Sequence, residues 1–257
     1  MTAFSLDQLE DRLRVEFLDD SHDRLDRMNN ILKQVSTAST DETTALSLLM
    51  LDAHNFRGVG ASFGFPCVSL IAHRMEDYMN GLTCLGEREQ RELQMFVDRI
   101  AEVVDRRSQP DVAETNRILR SLPVRYVFQI TDVDIRDVEV MLVTPSKVMS
   151  KRVGTELAAC GYRVIQVHDP IESISLAVRV PPDLLIASMV MDGLSGLDLI
   201  RGLRAMSVTH KVPMALLTSL DLGNPALRDI PPEVALIRVG GSFSDDFAKA
   251  IARFNLG

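Results

Sequence analysis

Asp52-Ala53-His54-Asn55-Phe56-Arg57-Gly58-Val59-Gly60-Ala61-Ser62-Phe63-Gly64-Phe65 sets a histidine in a helical run that is otherwise mostly apolar. Arg57 stands three residues after His54 and Gly58 four, so both share the histidine's face. A cation one turn from an imidazole suits a negative group held on the ring. Gly58, Gly60 and Ala61 keep the surface low enough for another protein to approach. A glycine inside a helix costs about 1 kcal/mol relative to alanine. Two of them call for a reason, and room for an incoming partner is the one this pattern suggests.

Outward from this stretch the chain reads as helices. Residues 5 to about 35 form a long amphipathic helix, with Leu6, Leu9, Leu13, Phe17, Leu25, Met28, Leu32 and Val35 at three- and four-residue spacing. Ser5 with Gln8, and Ser39 with Glu42, fit capping boxes. The helix that holds His54, about 41 to 62, carries Ala45, Leu46, Leu48, Leu49, Met50, Leu51, Ala53 and Phe56 nearly all round. That pattern predicts a helix mostly enclosed by neighbours. Gly64-Phe65-Pro66 breaks it, and Pro66 suits the first position of a third helix that ends before Asn80-Gly81. His73 and Glu76 share a face of that helix. A fourth helix, about 86 to 107, has Leu93, Phe96, Val97, Ile100, Val103 and Val104 as its inner stripe. A short fifth follows Pro110. Residues 1–122 are therefore expected to form an up-down helical bundle of four main helices plus a short fifth.

Residues 123–137 read as an extended linker, with a short strand allowed by the alternation of Val124, Tyr126, Phe128 and Ile130. From 138 onward apolar strands alternate with helical segments. Strands are expected at 138–143, 163–167, 184–187, 212–217 and 234–237, and helices at 146–160, 170–179, 197–206 and 243–254. Such alternation predicts a doubly wound, five-stranded parallel sheet over 138–257. Gly223, Pro225, Pro231 and Pro232 allow only a short or irregular helix between 220 and 232. The chain is thus multidomain, α followed by α/β.

Composition narrows the function. The 257 residues carry a net charge of −8 and no basic block, which argues against nucleic acid as the main partner. No apolar run of about 18 residues is present, so no membrane span is expected. The first residues do not have the pattern of a secretory signal. Cys67, Cys84 and Cys160 form no Cys-x-x-Cys pair, so neither a zinc site nor a disulfide framework is indicated, and a reducing cytoplasm fits them. No cofactor or metal is expected.

The first half resembles the histidine phosphotransfer domain, most closely the version at the N-terminus of chemotaxis histidine kinases. The resemblance rests on His54-Asn55-Phe56-Arg57-Gly58, the small residues after it and Phe63-Gly64-Phe65, together with His73 and Glu76 in Ile71-Ala72-His73-Arg74-Met75-Glu76. Arg57 replaces the usual lysine, which keeps the charge but substitutes a planar fork for a point charge. The resemblance implies that His54 accepts a phosphoryl group, that Glu76 orients the ring with His73 as its neighbour, and that Arg57 offsets the phosphoryl charge. It implies a docking surface at Met50, Leu51, His54, Arg57, Gly58 and Ala61 for response-regulator receiver domains, and a histidine kinase as a further partner.

The second half resembles a response-regulator receiver domain that has lost its chemistry. Thr144 and Pro145 stand where the family has an acidic pair, and Ser188 where it has the phosphorylated Asp. The Lys-Pro after the fifth strand appears as Gly241-Ser242 or as Arg238-Val239, and only Thr218 survives. A receiver needs carboxylates for Mg²⁺, an Asp nucleophile and a cation. The implied reading is a pseudo-receiver that cannot be phosphorylated. No glycine-rich nucleotide loop is present, so the expected function is a phosphorelay intermediate, a phosphoryl carrier rather than an ATP-using kinase. A silent scaffold that binds receivers, or a phosphate sink, are the alternatives.

Overall fold

A computed structural model describes residues 6–37, 40–124, 136–221 and 223–256. The chain divides into two compact units, Met1–Arg125 and Tyr126–Gly257. Most of the expected 123–137 linker, with the possible strand in it, lies outside the described residues, as does Ser5 of the first capping box.

The first unit is an antiparallel bundle: α1 (Leu6–Ser36), α2 (Glu42–Val59), α3 (Pro66–Met79), α4 (Glu87–Asp105) and the short α5 (Val112–Ser121). The expected stripes build its core. Phe17, Leu25, Met28, Leu32 and Val35 of α1 and the six named residues of α4 are buried. Leu13 is an exception, at 40% exposed. Asp41 caps α2 by accepting the Thr44 N–H at 3.0 Å. Ser39 lies outside the described residues, and Glu42 does not complete a capping box. Its carboxylate accepts the Leu85 N–H at 2.8 Å and so secures the approach to α4.

Two expectations about α2 need correcting. The helix ends at Val59, and Gly60–Phe63 is a 3-10 turn. Nor is α2 enclosed all round. Only Ala45, Leu49, Asp52, Ala53 and Phe56 are buried, while Leu48 and Leu51 stand exposed. Neighbouring helices cover a single face, so the remaining leucines line the surface. Gly64, in the left-handed region at φ 85°, ends the turn, and Pro66 opens α3 as expected.

The second unit is a five-stranded, all-parallel sheet in the order β2-β1-β3-β4-β5. Its strands are β1 (Glu139–Val143), β2 (Arg163–Val167), β3 (Leu184–Ser188), β4 (Met214–Thr218) and β5 (Ala235–Arg238). Between and after them come α6 (Lys147–Ala159), α7 (Pro170–Arg179), α8 (Gly196–Ala205) and α9 (Phe243–Phe254). Every residue of β1, β3 and β4 is buried, as strands covered on both faces require. One apolar layer joins the sheet to α6 and α9, the other to α7 and α8. The proline-rich stretch yields only a 3-10 turn at Pro225–Leu227. This order is the flavodoxin-like one, with its switch point between β1 and β3. Among the described residues no helix is long and apolar enough to cross a membrane.

Candidate functional site

In the first unit His54 projects from the exposed side of α2, its side chain 72% accessible. Nδ1 lies 3.0 Å from Oε1 of Glu76 on α3. A carboxylate can only accept a hydrogen bond, so Nδ1 carries the hydrogen and Nε2 holds the free lone pair. The other oxygen, Oε2, accepts Nη1 of Arg57 at 2.7 Å. Glu76 thus bridges the ring and the guanidinium. Its own side chain is only 11% accessible, which limits screening of both contacts by water.

The geometry adds a contact for Arg57. One nitrogen of its guanidinium is held on the carboxylate that meets the ring. His73 differs more. It is 7% exposed, and among the described residues neither ring nitrogen has a hydrogen-bond partner. Nε2 is 3.7 Å from Asp77, outside hydrogen-bond range. Burial first, then the positive charges of Arg57 and Arg74, push its pKa down to about 3. The ring is therefore neutral at pH 7, and its 3.7 Å approach to Asp77 is not an ion pair. His73 packs behind the site without bonding to Glu76 or His54.

A consequence in pH follows for His73. Its folded pKa lies below the unfolded value of about 6.5, so the unfolded chain takes up the proton first on acidification. The stability is complete above about pH 6.5 and is lost toward the folded value, at up to about 1.4 kcal/mol per pH unit. Replacement of the unpartnered ring by an apolar side chain removes that liability. His73→Leu is expected to match or exceed wild-type stability at pH 7 and to lose roughly 2 kcal/mol less between pH 6.5 and 4.5. Urea titrations at both pH values check this; identical acid sensitivity in the two proteins would refute it.

The glycines also separate. A Cβ on Gly58 would meet nothing within 4 Å, so this position is open to an approaching surface. A Cβ on Gly60 would stand 2.9 Å from Ser69 Oγ and 3.2 Å from the Phe65 oxygen. Gly60 serves internal packing, not access. Ser69, which the sequence did not single out, accepts the Ala61 N–H at 2.8 Å and donates to the Phe56 carbonyl at 3.3 Å. Of the expected docking residues, Leu51, His54 and Gly58 are exposed, and Met50, Arg57 and Ala61 are half-buried. Asp52, an acid two residues before His54 in an apolar run, is buried.

Residues 12–109 match the family model of the Hpt domain. The first unit carries an Hpt domain. Such a domain is a module of two-component phosphorelay signalling.

The second unit has its switch-point residues at the carboxyl ends of β1, β3 and β4. Thr144 follows β1; its N–H donates to the Val167 carbonyl at 2.9 Å, and its carbonyl accepts His168 Nδ1 at 2.9 Å. Pro145 is exposed. Ser188 ends β3 and is 9% exposed. Thr218 ends β4, and its Oγ1 accepts the Leu220 N–H at 3.0 Å. Arg238, not Gly241, occupies the end of β5, in register with Thr218. Its guanidinium is turned to Asp246 on α9, with Nε to Oδ2 at 2.7 Å and Nη2 to Oδ1 at 3.0 Å. That hydrogen bonding lowers the Asp246 pKa. Asp169 is likewise occupied, capping α7 through the Ile171 and Glu172 N–H groups. Among the described residues no group of three or more His, Cys, Asp or Glu side chains is arranged to hold a metal ion.

Solved structures similar to this chain include receiver domains and response regulators. The receiver domain of a sensor histidine kinase from Pseudomonas aeruginosa shares 21% identity, with 46% of this chain and 98% of that one covered and a TM-score of 0.40. A chemotaxis response regulator of Vibrio cholerae shares 19%, over 47% and 99%, also at 0.40. A response regulator from Desulfuromonas acetoxidans shares 23%, over 46% and 97%, at 0.40. No curated protein matches the chain.

Proposed function

We propose that this protein is a phosphorelay intermediate in which Nε2 of His54 carries the phosphoryl group. The observation that carries the reading is the contact between Nδ1 and Glu76. With Nδ1–H held by a carboxylate, the lone pair of Nε2 attacks phosphorus of an aspartyl phosphate or of a kinase's phosphoryl donor. The N–P bond forms as the bond from phosphorus to the leaving oxygen breaks, and that oxygen departs with the electron pair. The ring is left as a phospho-imidazolium whose Nδ1–H faces Glu76, and the carboxylate offsets the positive charge. Onward transfer to the Asp of a separate response regulator is the same step reversed. Arg57 pairs with Glu76 and keeps it aimed. The exposed strip of Leu48, Leu51 and Gly58 beside His54 supports docking of a receiver there.

The second unit fits a receiver-like domain that takes no phosphoryl group, with a role in docking or regulation. What supports this is the set at the strand ends, Thr144, Ser188 and Thr218, together with a cation, Arg238, committed to Asp246. None of these supplies a carboxylate nucleophile or a hard-oxygen cage for Mg²⁺.

The test is transfer of acid-labile label from phosphoramidate, from phosphorylated receivers and from candidate kinases to the full chain. Wild type is expected to take label and His54→Gln to take none. Label that survives His54→Gln would overturn the assignment, and no label from any donor would favour a silent binding module. With a labelled receiver, net flow toward or away from the chain separates a sink from a forward relay.

A further inference from the structure

Asp52 lies two residues before His54 on α2 and is 2% exposed. It occupies a core-facing position between Leu49 and Phe56, where the helix otherwise buries apolar groups. Its partners come from α1. Arg27 Nε donates to Oδ2 at 2.9 Å and Nη2 to Oδ1 at 2.5 Å, and Arg24 Nη1 lies 3.5 Å from Oδ1. Arg24 is also bonded through Nε to Asp20 at 2.6 Å.

A carboxylate buried this deeply is costly unless it is paired, and an apolar residue in its place would serve stability as well or better. A two-pronged fork adds something an apolar contact lacks, a set distance and angle between two helices. The rest of the buried face of α2 is apolar. Of its four buried apolar side chains two are alanines, Ala45 and Ala53, whose short side chains set helix roll less sharply than a two-pronged ion pair does.

We propose that the Asp52–Arg27 pair is a positioning element for His54. It fixes the roll and axial height of α2 on α1, and so keeps Nδ1 within reach of Glu76 on α3. The tolerance is small. A side-chain atom about 5 Å from a helix axis moves nearly 2 Å on a roll of about 20°, and a slip of one residue is about 1.5 Å. Either movement takes a 3.0 Å contact out of hydrogen-bond range. The consequence for transfer rests on His54 being the phosphoryl carrier; the geometric claim does not.

The test compares the full-length wild type with the double variant Asp52→Leu/Arg27→Leu and the single variant Arg27→Lys, which keeps charge and loses the fork. The double variant is expected to melt at or above the wild-type temperature. Its His54 imidazole, read by ¹⁵N NMR, changes from the Nδ1–H tautomer to a mixture, and labelling by phosphoramidate slows about tenfold or more. Arg27→Lys falls between. A folded double variant with the wild-type tautomer and rate overturns the proposal. Should the double variant fail to fold, a wild-type tautomer in Arg27→Lys overturns it equally. If wild type takes no label while the tautomer still answers to the pair, the carrier reading fails and the positioning role stands.

Discussion

Glu76→Gln is expected to slow phosphoryl transfer to His54 roughly 10²-fold without unfolding the bundle. The amide can still accept the Nδ1–H that Oε1 receives at 3.0 Å. It cannot offset the charge of the phospho-imidazolium, and loss of one such preorganised electrostatic contact commonly costs that much. The amide also takes the charge from the Arg57 contact at 2.7 Å. The product therefore accumulates slowly, while its lifetime is less affected than its rate of formation. Single-turnover labelling from phosphoramidate measures the rate directly, with circular dichroism confirming the fold. A rate within threefold of wild type would show that the carboxylate only orients the ring, and would move the charge role to another group.

In the second unit Gly196→Ala is expected to be the most damaging single methyl addition. Gly196 opens α8, and its N–H donates to the Met189 carbonyl at 3.1 Å. An added Cβ would stand 2.2 Å from the Ser188 carbonyl oxygen and 2.9 Å from Leu216 Cδ2. The first contact is with backbone at the end of a fully buried strand, so no rotamer relieves it. The helix must lift off β3, at about 3 kcal/mol or more. Gly202→Ala in the same helix is the matched control. Nothing lies within 4 Å of that Cβ, and an alanine there stabilises by about 0.5–1 kcal/mol. Thermal denaturation should lower the unfolding midpoint of the first variant and raise that of the second. An unchanged midpoint in Gly196→Ala would mean that β3 and α8 have slack the packing does not suggest.

Much of the architecture was legible because its signals are local. The three- and four-residue spacing of α1 and α4, the Pro66 start of α3 and the switch to short apolar runs at β1 each depend on neighbours within one or two turns. The candidate site was legible in part for the same reason. His54 and Arg57 are one turn apart, as are His73 and Glu76, and each pair predicted a shared face. The family resemblance pointed to Glu76 as the member of the second pair that meets His54, as the structure has it, but spacing alone does not separate it from His73. Both spacings are compatible with contact, and the roll of α3 in the bundle decides between them.

By itself, the sequence determined two folding units of different class, the elements of each and the stretch around His54 on which the proposed function turns. These follow from periodicity and backbone chemistry, which act over a few residues. Only the tertiary structure decided the division of labour within that stretch. It joined Glu76 to both His54 and Arg57, buried His73 without a partner, assigned Gly60 to packing and Gly58 to the surface, and fastened Asp52 to Arg27 of α1. It likewise turned Arg238 to Asp246. These are contacts between side chains far apart in the chain. Their geometry depends on the roll and height of whole helices, which a pattern of residue types along one helix does not specify.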